Sequence, residues 1–437
     1  MKSLRSLVQA VGLLGVFFFI AVAAWLFMPN PPIQVASSTV KPDKQMIEQG
    51  RYLAVLGNCQ TCHTAAGGAA FAGGRGMNTP FGTVFSSNLT PSTSGLGGWS
   101  ADDFWRALHH GQSRDGRWLY PAFPYTNTTH LTRGDSDALW AFFMSLPPVE
   151  QAPRPHQVAW PFHTQAALKV WRSLYFEAAA PRPEPPPSVV ALSAEQVALR
   201  RGAYLVQGLG HCSACHAPRN ALGANRNMLD LAGGLIPVQN WYAPSLTDPA
   251  EAGVQDWPLA DIVRLFQTGR ARDAQVLGPM SEVVQHSTQH WQDQDVAAMA
   301  LYLKGLPRST TPQTSFLRPA TADGKGARLY DQHCAQCHGA QGEGTRLPDG
   351  GFAYLPLAGN RSLGLSSSAN LIQTVLHGGF GPSTQGQPQA FGMPPFLFTL
   401  SDTDIASILT HLRSQEATPL PAVSALEVQE LRGTGGR

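Results

Sequence analysis

The most continuous apolar stretch lies at the start of the chain. Lys2 and Arg5 precede an uncharged run from Leu7 to Met28. As a helix at about 1.5 Å per residue it would be about 33 Å long, against about 30 Å for a bilayer core. Ala21-Val22-Ala23 would suit signal-peptide cleavage, but Trp25-Leu26-Phe27-Met28 carry the run past that site. Residues 1–30 are therefore expected to be an N-terminal membrane anchor, with a cleaved signal as the alternative. In either case the basic end stays in the cytoplasm and the remainder is exported to the periplasmic side.

Farther along, helical periodicity recurs at three matched places. GDSDALWAFFMSLP (134–147), DQDVAAMALYLKGLP (293–307) and SDTDIASILTHLR (401–413) each open on Asp or Ser residues suited to N-caps. Well upstream of each lies a short helical pattern with a glycine and an aromatic: Gly50 with Tyr52, Gly202 with Tyr204, and Gly326 with Tyr330. Such a glycine lets the first helix of a unit cross closely over its last. The pattern predicts an all-α protein of three tandem units at 46–150, 193–307 and 320–414. They are joined by a Pro-rich linker over 151–192, with PRPEPPP at 181–187 and a short helix at 166–176, and by a second joint at 308–319. Periodicity fades after Arg413, so the tail 415–437 is expected to be poorly ordered.

Composition narrows the chemistry. Gly 43 and Pro 35 indicate long loops between the helices. Lys+Arg 31 against Asp+Glu 29 leaves a net charge of +2, without the basic excess that phosphate neutralisation needs. Nucleic acid is not an expected partner. No nucleophile–base constellation, P-loop or dinucleotide fingerprint is present.

All six cysteines fall in three copies of one motif: Cys59, Cys62 and His63 in CQTCH, Cys212, Cys215 and His216 in CSACH, and Cys334, Cys337 and His338 in CAQCH. Two thiols at this spacing reach the two vinyl groups of one haem as thioethers, and the adjacent imidazole becomes the proximal iron ligand. Structural zinc would need a second pair of ligands beside each motif. A thioredoxin-like dithiol would come once, in a βαβ setting. The motifs predict three covalently bound haem c groups.

Methionine is a common sixth ligand and raises the potential. Met280 in LGPMSEV and Met393 in FGMPPF sit on loops just before the second and third closing helices. In the first unit the matching position is Phe123 in YPAFPY, which cannot ligate iron. His130, on the loop before the closing helix, is the first choice there. Met144 is second, because its register matches Lys304 and Arg413 and so is expected to point outward. Met77 is expected to line the haem edge, and an open site is the remaining option. Arg219, just after CSACHAP, is a candidate propionate partner.

RYLAVLGNCQTCHTAAGG, TPFGTVFSSNLTP, WSADDFWRALHHG, RGAYLVQGLGHCSACHAPRN and FGMPPF together resemble the three-haem cytochrome c subunits of bacterial membrane-bound dehydrogenases for alcohols, gluconate, fructose and aldehydes. The resemblance implies three class I cytochrome c domains and an electron-transfer subunit with no substrate chemistry of its own. Electrons would come from a catalytic subunit carrying molybdopterin, PQQ or flavin. They would pass to ubiquinone or a terminal oxidase at the periplasmic side of the inner membrane. Many such subunits have AMPY where this chain has AFPY, and the AFPY form looks more like those paired with molybdopterin aldehyde dehydrogenases or hydroxylases. Two other readings stay open: a peroxidase-like multihaem enzyme with an open first haem, and a cytochrome c subunit of a terminal oxidase.

Overall fold

The structure is a computed structural model. It describes residues 2–38, 41–180, 192–225, 230–272, 274–309, 319–321, 324–348, 351–387, 391–416 and 420–434, the side chains of 2–10 and 18 aside. The first helices are α1 (Lys2–Phe27), α2 (Lys44–Leu56), α3 (Cys59–His63), α4 (Ala101–His110), α5 (Tyr125–Thr128), α6 (Arg133–Met144) and α7 (Gln165–Tyr175). Next come α8 (Ala194–Tyr204), α9 (Ser213–His216), α10 (Leu259–Thr268), α11 (Pro279–His286) and α12 (Asp293–Lys304). The last are α13 (Gly324–His333), α14 (Ala335–His338), α15 (Arg361–Gly364), α16 (Ala369–His377), α17 (Asp402–Ser414) and α18 (Ala425–Thr434).

Among the described residues the same helix crossing occurs three times. Helix α2 packs on α6, α8 on α12 and α13 on α17. Glycine is required at each crossing. A Cβ on Gly50 would run into the Ala138 carbonyl, one on Gly202 into Ala298, and one on Gly326 into Ser407. The residue before each glycine bonds to the aspartate one turn earlier on the closing helix: Gln49 to Asp135 at 3.1 Å, Arg201 to Asp295 at 2.8 Å, and Lys325 to Asp404 at 2.8 Å. Two of the closing helices start on side-chain caps, with Thr132 capping α6 and a Ser401/Asp404 capping box opening α17, while α12 opens after Gln292 without one. Between Gly202 and Cys212 the chain is one residue longer than between Gly50 and Cys59, and a π-helical turn at Leu205–Leu209 is the kind of structure that accommodates such an extra residue.

The three crossings share two hydrophobic cores. One runs continuously through the first two, from Leu53, Phe104 and Phe143 to Leu205, Val296 and Leu303. The other belongs to the third, around Tyr330, Ile372, Ile405, Leu409 and Val428.

The helix-rich expectation holds, with short strands added to it. The glycine-rich loops fold back as short antiparallel ribbons, the largest a three-stranded sheet of β1 (Gly76–Thr79), β2 (Gly82–Phe85) and β3 (Gln157–Val158) in the order β1-β2-β3. The linker helix expected at 166–176 is α7. PRPEPPP at 181–187 and most of the joint 308–319 lie outside the described residues. The tail is corrected: it folds as α18, with Leu420, Val423 and Val428 buried and Arg432 paired to Asp402 at 2.6 Å. Its few apolar positions fall around a turn and one short helix, too sparse to show a period.

Candidate functional site

Each CxxCH segment starts on or just before a short helix that follows directly on the first helix of its crossing. The chain reverses into two of them through left-handed backbone, at Asn58 (φ 48°) before Cys59 and at His211 (φ 36°) before Cys212. All six thiols are free of disulfides. Cys59 and Cys212 pack against the first core and Cys334 against the second, while Cys62 and Cys215 are exposed.

Two of the three histidines are held by their inner nitrogen. His63 Nδ1 lies 2.7 Å from the Ser87 carbonyl oxygen, and His216 Nδ1 lies 2.7 Å from that of Pro244. His338 Nδ1 is buried without a hydrogen-bond partner at close range, and the Leu355 backbone is the acceptor it faces. A carbonyl acceptor fixes the proton on Nδ1 and leaves Nε2 as the nitrogen with a free lone pair. Burial pushes all three imidazoles below their ordinary value, which keeps them in the neutral, ligating form.

The sulfurs fit the same group. Burial pushes the Cys59 and Cys212 thiols up to about 12, and Cys334 to about 11. A thiolate is costly there, whereas a thioether is uncharged. Among the described residues no three His, Cys, Asp or Glu side chains gather into a metal-binding set. Paired neutral sulfurs beside an imidazole with a free Nε2 fit a covalently attached haem.

The loop expected at Met280 is instead the first turn of α11, where Met280 follows Pro279 and is half-buried. Met393 ends a two-residue strand and packs on the second core. Phe123 packs on the first core. His130 is half-buried in the turn after α5, and the π-helical turn at Gly208 lies against it. It therefore sits where the first crossing meets the second. Met77 is half-buried on β1.

Met144 ends α6 and is 36% exposed, pointing outward as expected, but the counterparts from which that register was inferred do not. Arg413 is 2% exposed and donates to the carbonyls of Leu363, Leu365 and Pro421, and Lys304 donates to those of Gln255 and Trp257. Long cationic side chains at helix ends can turn back to buried carbonyls, which a register argument does not see.

Arg219 folds back onto the Ala214 carbonyl inside its own motif. Arg75, which sequence reasoning passed over, does the same for the first motif, donating to the Thr61 carbonyl at 2.7 Å and pairing with Glu282 at 3.3 Å. Thr61 and Ala214 both precede the second cysteine, so the two arginines brace equivalent peptides. Their different sequence distances from CxxCH hid the match.

Comparison with known proteins gives the family. A cytochrome c family model matches residues 199–307 and 324–416. The cytochrome c subunit of the quinone alcohol dehydrogenase of Gluconobacter oxydans is 36% identical over 411 residues, covering 90% of this chain and 83% of that one. This chain belongs to the cytochrome c subunits of bacterial dehydrogenases. Two other members are similar to it over most of both chains. The gluconate 2-dehydrogenase cytochrome c subunit of Pantoea cypripedii is 35% identical, covering 89% of each chain. The fructose dehydrogenase cytochrome subunit of Gluconobacter japonicus is 33% identical, covering 89% of this chain and 83% of its own. Membership implies covalently bound haem c and a role in electron transfer.

Proposed function

We propose that this chain is the three-haem electron-transfer subunit of a membrane-bound dehydrogenase complex on the periplasmic side of the inner membrane. The observation that carries the reading is the CxxCH segment repeated three times, each following the first helix of the same crossing. Haem supplies one-electron chemistry. The chain binds it through the three Cys pairs and orients it through His63, His216 and His338. Met280 and Met393 are the sixth ligands of the second and third haems. His130 is the first choice for the first haem, with Met144 second.

The catalytic partner carries molybdopterin, PQQ or flavin, with AFPY favouring molybdopterin, and the acceptor is ubiquinone or a terminal oxidase. Helix α1 is the anchor. Among the residues whose side chains are described no helix is long and apolar enough to cross a membrane, yet Phe17 and Phe27 are 74% and 77% exposed. Lys169 of α7 lies 5.1 Å from the Trp25 ring centre and donates to the Trp25 carbonyl, a basic and aromatic pairing suited to a membrane surface.

The test uses the purified subunit with primary alcohols, aldehydes and sugars. Its haems stay oxidised until a catalytic subunit is added, and substrate-driven reduction by the chain alone would overturn the reading. Phe123 at the first distal position favours a second reading, a peroxidase-like enzyme. Peroxide turnover with a high-spin first haem would support that reading, and three low-spin ferric signals without turnover would remove it. Separate His130→Ala and Met144→Ala variants decide the first ligand by magnetic circular dichroism.

A further inference from the structure

The first two crossings are tied together by hydrogen bonds that occur twice with the roles exchanged. Counted from the crossing glycines, Tyr52 corresponds to Tyr204 and Val55 to Gln207. On the closing side Asn127 corresponds to Ser287, Thr132 to Gln292 and Asp135 to Asp295. The Tyr52 hydroxyl donates to Asp295 at 2.8 Å, and the Tyr204 hydroxyl donates to Asp135. The Gln292 amide donates back to the Tyr52 oxygen at 3.0 Å, and the Thr132 amide to the Tyr204 oxygen at 3.3 Å. Ser287 Oγ donates to the Val55 carbonyl at 2.7 Å, and Asn127 Nδ2 to the Gln207 carbonyl at 2.9 Å. Reciprocal contacts of this kind are the mark of a two-fold, isologous interface, here built within one chain.

The third crossing keeps the internal bond from Lys325 to Asp404, but among the described residues it shows no exchanged set. Arg328 stands where the tyrosine would be, and Phe396 where the Asn or Ser donor would be. Its core is correspondingly separate.

The exchanged bonds bear on the haem-attachment segments. Val55 and Gln207 lie in the turns leading into the first and second motifs. Asn127 also bonds Ser213 Oγ within CSACH at 2.9 Å, and His211 Nε2 lies 3.3 Å from the Gly57 carbonyl. Helix α11, which carries Met280, packs against α3 of the first motif. Asp295 is 3% exposed, so the clamp is not a rim contact. Burial, and then the facing carboxylates, hold both tyrosine hydroxyls above their ordinary value as permanent donors.

We infer that the first two crossings form one pseudo-two-fold unit, in which a reciprocal tyrosine–aspartate clamp locks the first two haem-attachment segments to each other, while the third keeps its own core and meets the second through other polar bonds, such as those between Asn370 and Tyr242 at 2.8 Å. Tyr52 and Tyr204 are positioning residues. Only the haem readout below rests on the function proposed above.

The test is the double variant Tyr52→Phe/Tyr204→Phe of the full-length haem protein, with each single variant beside it. In hydrogen exchange the Thr132 and Gln292 amides lose their acceptors and exchange at least about tenfold faster, while the Asp404 amide of the third crossing is unchanged. In EPR the magnetic interaction between the first two ferric centres weakens and the signal of the third stays as it was. The single variants show the effect at one amide each, so the test survives if the double variant fails to fold. Wild-type exchange at both amides, or equal loosening of the third crossing, overturns the clamp. Intact mass separates the two failures: a chain without haem contradicts the functional reading, while hydrogen exchange still decides the clamp.

Discussion

The fused pair and the third core are built around the same crossing, with a glycine against a carbonyl and an aspartate bonded to the residue before that glycine. They differ in what the aspartate's second oxygen meets. In the pair it is a tyrosine from the other crossing, and in the third no such tyrosine exists. The crossing therefore makes a unit fold, and a handful of polar side chains decides which units merge into one core. A repeat can keep its own architecture while giving up its independence.

Adding a methyl group at the crossing glycines should have the largest effect. Gly50→Ala and Gly326→Ala each force two helices apart, at a cost of about 3 kcal/mol. Calorimetry with hydrogen exchange should show Gly50→Ala weakening the first two crossings together and Gly326→Ala weakening only the third. Local weakening of the first crossing alone would break the comparison.

Asp295→Ala comes next. It leaves the Tyr52 hydroxyl and the Arg201 guanidinium without their acceptor, for about 2–3 kcal/mol, since Arg201 keeps some contact with water. Denaturant unfolding should show the loss in the transition of the pair and none in that of the third core. Lys325→Ala, at the matching bond of the third core, removes a partly exposed pair and should cost under about 1 kcal/mol.

The smallest effect is one of pH. Hydrogen bonds from Lys325 and Ser401 hold the Asp404 carboxyl down at about 2. A depressed carboxylate stabilises the fold fully above its unfolded value of about 4, and the contribution disappears as pH falls through about 2. The third core should therefore soften slightly between about pH 4 and 2, and Asp404→Asn should flatten that dependence. An identical acid profile in the variant would contradict the assignment.

What could be read from the chain was local. The CxxCH segments, the closing helices, the crossing glycines and α7 each carry their signal within a few neighbouring residues. The clamp could not be read that way: Tyr52 and Asp295 are 243 positions apart, and each resembles an ordinary aromatic or N-terminal helix residue. Arg413 and the tail were hidden for a related reason. The guanidinium is buried because Pro421, Leu363 and Leu365 present carbonyls to it, and nothing near Arg413 announces those partners.

Intact mass spectrometry of the exported protein tests the central claim most directly, on the wild type and on Cys59→Ala/Cys62→Ala, Cys212→Ala/Cys215→Ala and Cys334→Ala/Cys337→Ala. The account predicts the polypeptide plus three haems, resistant to acid–acetone extraction, with one haem lost for each pair removed. A wild-type mass equal to the bare chain, or a pair whose removal costs no haem, would contradict it.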